Sequence, residues 1–209
     1  MIYGLYIIEC TIIFCVGVGV GTILHSVIDR VDNGKSIAVF TGIIAVVTWV
    51  LSNGGVLACL NFIMANILLV IARIDWDTMR IPNECILVVL VLVIPYLLFQ
   101  QNVTFISRII GFFIVSLPML GLTILIPGAF GGGDIKLIAV SGLILGHANT
   151  ILSMCIALFF GGIYAVYLLC SGKSKKGQRM SFGPYLCMGI YIALLVGEEI
   201  IDCYINYYV

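Results

Sequence analysis

From Gly55 to Ala72 the chain reads GVLACLNFIMANILLVIA without one charged side chain, and this run constrains the fold more than any motif does. A helix needs about 20 apolar residues to cross the hydrocarbon core of a bilayer. Every backbone N–H and C=O on that path must find its partner within the protein, which leaves helices as the answer for such runs. Similar runs, each ended by a charge or a turn cluster, recur at about 3–27, 37–52, 55–74, 84–100, 107–126, 136–147, 149–170 and 183–201. The sequence thus predicts an all-α fold, a polytopic transmembrane helical bundle of about eight spans, with residues 1–209 as a single integral membrane domain. The sixth run is too short for an ordinary span, so a tilted or partly re-entrant segment is expected there. Composition agrees: 62% of the 209 residues are hydrophobic and 10% are charged, against about 25% charged in soluble domains. No short basic region precedes an A-x-A-like cleavage site, so the first run is expected to remain as a span.

The net charge of zero hides a lopsided distribution. Eight spans put both termini on one side of the membrane. The alternate loops then carry Arg30, Lys35, Arg73, Arg80, Lys136, Lys173, Lys175, Lys176 and Arg179, while the other side holds only Arg108. By the positive-inside rule the basic loops face the cytoplasm and the termini face outward. Tyr204, Tyr207 and Tyr208 fit an interfacial aromatic anchor. The basic loop 171–179 sets orientation or touches anionic lipid. Eight cysteines (Cys10, Cys15, Cys59, Cys85, Cys155, Cys170, Cys187 and Cys203) fall mostly in apolar runs, and none forms C-x-x-C. They read as small buried hydrophobes rather than a metal site or disulfide framework, and no metal or cofactor is expected.

This topology brings Asp75, Asp77 and Asp134 to the cytoplasmic ends of spans. Acids near hydrocarbon pair, line a wet cavity or do chemistry. Asp75 closes the third span within ARIDWDTMRIPNEC (Ala72–Cys85), where Pro82 is expected to open the fourth with its φ preset for a first turn. Asp134 follows Gly131, Gly132 and Gly133 in LIPGAFGGGDIKLIAV (Leu125–Val140); glycines there let another backbone approach closely. An aspartate in a first turn ordinarily caps free N–H groups, and that reading stands beside a catalytic one for either acid alone. Together the two are the minimum set for acid–base peptide hydrolysis. Brought within a few ångströms they cannot both ionise; the charged member then takes a proton from water while the neutral one polarises the scissile carbonyl. His25 and His147 fall at opposite ends of the membrane, which disfavours a shared metal or a triad. DWD (Asp75–Asp77) resembles a metal-binding D-x-D of sugar transferases, without the nucleotide domain that should accompany it. GVGVGT (Gly17–Thr22) lies inside a span, where small residues serve close helix contact. The alternative class is a transporter whose intramembrane aspartates carry protons or cations, although such groups usually sit near mid-membrane; a silent assembly scaffold is a third.

Four segments, in order, resemble the type IV prepilin peptidases, membrane aspartyl proteases of the GxGD type. GGGDIKLIAVSGLILG (Gly131–Gly146) is similar to the family's G-x-G-D-x-K-L and spaced glycines. IDWDTMRIPN (Ile74–Asn83) is similar to its I-D-x-x-x-x-x-I-P-N, SFGPYLCMG (Ser181–Gly189) to its F-G-P-F entry to the last span, and GTILHSVIDR (Gly21–Arg30) to its G-S-F-x-N-V-x-x-x-R. The resemblance implies catalysis by Asp75 and Asp134, with Asp77 in reserve. It also implies cleavage on the cytoplasmic side, after a glycine, of a prepilin or pilin-like precursor with a short basic leader and a hydrophobic helix. Gly131, Gly133 and Lys136 are candidate substrate contacts, Lys136 alternatively an interface anchor. Pro82, Asn83, Phe182, Gly183 and Pro184 read as supports. Two departures stand out: the loop DRVDNGKS (Asp29–Ser36) lacks the paired C-x-x-C zinc domain that many members carry, so N-methyltransferase activity is not expected, and His25 replaces the usual asparagine.

Overall fold

Every regular element among the described residues is an α-helix. The computed structural model describes residues 2–28, 34–52, 54–171 and 180–208, so most of the loop at Asp29–Ser36 and of the basic loop 171–179 lie outside it, as does the side chain of His25. The helices are α1 (Ile2–Ile28), α2 (Gly34–Leu51), α3 (Gly55–Thr78), α4 (Asn83–Phe99), α5 (Phe105–Ile114), α6 (Ser116–Leu125), α7 (Gly132–Cys170) and α8 (Gly183–Tyr208). Only Val115 separates α5 from α6, and the pair forms one apolar stretch, Phe105–Leu125. With α3 and α7 it is long and apolar enough to cross a membrane, and shorter apolar helices lie at Glu9–Ile23, Val39–Leu51 and Asn83–Phe99. The chain is an all-α, multi-pass membrane protein.

The longest element, α7, is two spans. Gly146 interrupts it at φ 74°, ψ 175°, a conformation open in practice to glycine alone. In a straight helix residues 134 and 161 would stand about 40 Å apart. Instead both ends of the element reach one aromatic ring. Phe182 packs edge-on against Phe130, just ahead of α7, with ring centroids 5.6 Å apart, and its ring lies 3.5 Å from where a Cβ on Gly161 would stand. The chain therefore doubles back at Gly146, giving a short arm over 132–145 and a longer one over 147–170. These are the expected sixth and seventh spans, and the short sixth is the first arm.

The chain divides into two compact units, residues 1–66 and 67–209, with the boundary inside α3. In the first, Gly17 of α1 faces α2 so closely that a Cβ there would sit 2.7 Å from the Ala45 Cβ, whereas Gly19 has open space around it; the close-contact role expected of GVGVGT falls to Gly17. In the second unit, the short arm of α7 crosses α5 backbone to backbone: a Cβ on Gly142 would lie 2.2 Å from the Gly111 carbonyl oxygen. Glycine permits this approach, and close backbone packing is what holds helices together where lipid removes the hydrophobic drive.

The interior of these units is rich in small polar side chains. Thr48, Ser116 and Thr150 are buried, and each hydroxyl donates to the carbonyl one turn back, at Ile44, Phe112 and Gly146, so none of these three is stranded; the buried Ser141 hydroxyl, without a partner, is an exception. Large apolar residues such as Leu125 and Ile106 point outward instead. The cysteines follow suit and correct one expectation: Cys187 is buried, but Cys15, Cys59, Cys155, Cys170 and Cys203 are exposed. Apolar character predicts burial from water, and a lipid-facing surface satisfies it without burial in protein. Pro82 also shifts by one place, to the N-cap of α4 at φ −63°, ψ 140°, with Asn83 opening the helix.

Candidate active site

The end of α3, the start of α7 and the start of α8 meet at a cavity of about 450 Å³, lined by Asp75, Met79, residues 128–131, Asp134 and residues 180–182. Asp75 comes from the last turn of α3. The helix stops just beyond it because Met79 turns left-handed at φ 53°, while its N–H still donates to the Asp75 carbonyl at 2.8 Å. That turn aims the Met79 side chain at the cavity. Asp134 comes from the first turn of α7, three residues beyond the Gly131 N-cap, and turns back on the Gly131 amide as the acidic half of a capping box does.

Both acids are buried, Asp75 at 5% and Asp134 at 7% exposure, and they are near enough for the charge of Asp75 to act on Asp134. Their hydrogen bonding differs. Asp75 Oδ2 accepts from the Ser181 hydroxyl at 2.5 Å and from the Gly183 N–H at 2.9 Å. Asp134 Oδ1 is buried without a partner. Buried carboxyl oxygens are normally satisfied, and one that is not marks a place where a ligand, a water or a proton belongs. Asp77, by contrast, faces away and pairs with Arg73 at 3.2 Å, both partly exposed.

The glycines flanking Asp134 divide their work. Gly131 lines the cavity, where a Cβ would stand 2.9 Å from Asp134 Oδ2. Gly133 lies outside the lining and packs on Ile81, whose Cβ would be 2.8 Å from an added one. Lys136 also lies outside it, its Nζ donating to Asn83 Oδ1 at 3.0 Å. Thus the Ile81–Pro82–Asn83 segment is what the start of α7 rests on, and this contact ties the Asp75 and Asp134 segments together. Reasoning from sequence missed Met79, Ser181 and the buried thiol of Cys187, which lies within electrostatic reach of both acids. A serine directly ahead of F-G-P at a helix start was the available signal for Ser181.

Two acids buried on one cavity, carried to it by different helices, define a multi-pass membrane protein with the makings of a carboxyl dyad. The sequence profile of the type IV leader peptidase family matches residues 62–166, a stretch that contains both aspartates. The chain belongs to that family. It is 27% identical over 148 residues to the prepilin leader peptidase/N-methyltransferase of Bacillus subtilis, a match covering 69% of this chain and 58% of the relative. Proteins of the same description from Legionella pneumophila, 38% identical over 79 residues, and Pseudomonas putida, 39% over 70, match 37% and 34% of this chain and 27% and 24% of their own lengths. The chain thus spans little more than half of the first relative and about a quarter of the other two. No solved structure matches it.

Proposed function

We propose that this chain is an aspartyl endopeptidase of the membrane interface that removes the short basic leader of prepilin or pilin-like precursors. The observation that carries the reading is the cavity shared by buried Asp75 and Asp134, within the segment matched by the family profile. The proposal takes the peptidase half of the relatives' name alone. The bias of basic residues supports an active site at the cytoplasmic face with the termini outside. Both acids belong to helix ends rather than to mid-span, which favours hydrolysis over ion transport.

In this mechanism the pair holds one proton. The ionised aspartate takes a proton from water as the water oxygen bonds to the scissile carbonyl carbon. The protonated aspartate gives its proton to the carbonyl oxygen, producing a gem-diol. Collapse breaks the C–N bond: the leaving nitrogen takes the proton from the first aspartate, and a hydroxyl proton of the gem-diol returns to the second. One water is consumed, an acid and an amine leave, and the dyad is restored. Gly131 leaves room for an extended peptide beside Asp134, while Gly133 and Lys136 support that turn through Ile81 and Asn83. A peptide centred on a small residue suits such a narrow place.

The test is cleavage of a prepilin-like precursor by the purified chain in detergent or liposomes, followed by gel shift and mass of the product. The parent is expected to release the leader; Asp75→Asn and Asp134→Asn are expected to release none. Cleavage surviving either change rejects the dyad, and a parent inert towards precursors of this kind rejects the substrate.

A further inference from the structure

We propose that Ser181 and the backbone amide of Gly183 are positioning residues for Asp75, and that by occupying its Oδ2 they make Asp75 the member of the pair that takes the proton from water. The inference rests on the aspartyl peptidase reading and goes beyond it by giving the two acids different roles.

The first N–H groups of a helix have no partner within it. Tyr185 and Leu186 both donate to the Phe182 carbonyl at 3.1 Å, and Pro184 has no N–H to place. Gly183 is left, and its N–H goes to Asp75. An N-cap side chain normally accepts from N2 or N3 rather than N1, and phenylalanine, which occupies the cap, cannot accept from the Gly183 N–H at all. An acid from another helix does so instead, in the favourable field of the α8 N-terminus.

Ser181 adds a second donor to the same oxygen. Two bonds on one oxygen fix the plane of the carboxyl group and leave Oδ1 as the oxygen free to work. The Gly183 N–H can only donate, and with it the Ser181 hydroxyl donates to the same oxygen; hydrogen bonds of this kind favour the charged carboxylate, so Asp75 is held as an acceptor. Asp134 is served less fully: the Gly131 amide reaches its carboxyl group, but its Oδ1 is buried with no donor. A proton on Asp134 turns that stranded acceptor into a donor, as polarising a substrate carbonyl requires.

The close approach depends on position 183 having no side chain. A Cβ there would lie 2.5 Å from Asp75 Oδ2 and 2.8 Å from its Cγ, closer than any packed carbon tolerates, so the carboxyl group would have to move. Glycine at this place serves the acid.

A purely structural account is that Asp75 merely caps α8. The two accounts part on substitution, tested on the 209-residue chain with a prepilin-like precursor. Asp75→Asn keeps an oxygen acceptor for both donors, so it should melt within about 2 °C of the parent while cleaving nothing. Ser181→Ala should lower kcat by about 10- to 100-fold, the range for a lost hydrogen bond to a charged group, with KM within about threefold. Ser181→Thr restores a hydroxyl and should recover kcat to within about threefold of the parent. Gly183→Ala should lose more than Ser181→Ala. If Ser181→Ala is not recovered folded, Ser181→Cys, a weaker donor, replaces it with the same expected order against Ser181→Thr. Active Asp75→Asn would remove the peptidase reading itself. Inactive Asp75→Asn beside a folded Ser181→Ala of parental kcat, or a loss that Ser181→Thr does not repair, would overturn the positioning role and leave the dyad standing.

Discussion

Two cavities of similar size open on the unit formed by residues 67–209, one near each end of the short arm of α7, and their acids set them apart. The first, about 450 Å³, holds Asp75 and Asp134. The second, about 380 Å³, is lined among others by Ser107, His147, Asn149, Glu198 and Asp202. In the second, both acids come from one helix, a turn apart, and both are exposed, so they keep their water and make no demand on the fold. The polar groups at this end of the arm are largely settled. Arg108 gives its guanidinium to the carbonyls of Leu143, Ile144, Tyr96 and Gln100, the Leu143 and Gln100 contacts being 2.8 and 2.7 Å. Those carbonyls end α4 and the short arm of α7, where helices leave acceptors over. Ser107 Oγ meets His147 Nδ1 at 2.8 Å. Asn149 alone leaves an oxygen without a donor, a neutral amide's deficit. In the first cavity two acids from separate helices are buried together, one accepting two bonds on a single oxygen and the other with its Oδ1 left without a donor. An acid-lined cleft is common surface; buried acids with an unmet valence are what chemistry needs.

Under the proposed function, one end should govern turnover and the other stability. The largest effect should come from Asp134→Asn: kcat for leader release falls by at least about 10²- to 10⁴-fold, the span expected of a general acid–base group, while thermal unfolding in detergent stays near the parent's. A large fall in melting temperature would make Asp134 a structural cap, and the contrast between the ends would fail.

Next in size, Arg108→Met should reverse that pattern. It takes the donor from the Leu143, Ile144 and Gln100 carbonyls, which are buried or partly buried, while Tyr96 keeps the Gln100 N–H; at about 1–3 kcal/mol for each lost donor, a stability loss of about 3 kcal/mol is expected. Normalised to folded protein, cleavage should stay within about threefold. Gly146→Ala should follow, at about 1–3 kcal/mol for backbone held at φ 74°, sharpened by a Cβ only 2.6 Å from Ser107 Oγ. If it lowers turnover as much as stability, the reversal at Gly146 feeds the dyad, and the two ends are not separable.

The spans and the two acids were legible because both follow local rules. Apolar runs mark membrane helices wherever they lie, and an acid at the end of such a run is conspicuous by itself. The reversal within α7 was legible as two runs parted near His147, although only geometry assigns it to Gly146. Arg108 stood out as the single basic residue on its side, yet nothing local showed it buried against four carbonyls. Ser181 was read past for the same reason: its bond to Asp75 joins positions 106 apart, and such pairing leaves no periodic trace. The role of Lys136, open in the sequence between substrate contact and interface anchor, is equally illegible there because its partner Asn83 lies on another span. Cysteine burial failed differently, since a hydropathy pattern cannot separate protein interior from lipid.

The smallest expected effect tests the comparison most finely. Glu198 and Asp202 stand four residues apart on α8, and like charges at that spacing destabilise a helix by about 0.2–0.5 kcal/mol. Glu198→Gln should therefore raise stability by a few tenths of a kcal/mol at most and leave leader cleavage within about twofold, as surface changes usually do. High salt should erase the gain, because exposed charges are screened within about 10 Å at 0.1 M ionic strength. Asp202→Asn should behave the same way, and the double variant should gain little beyond either single one, since one repulsion can be removed only once. A tenfold loss of cleavage from either substitution would give the second cleft a part in handling the precursor, and acid burial would then no longer separate the working end of the molecule from the supporting one.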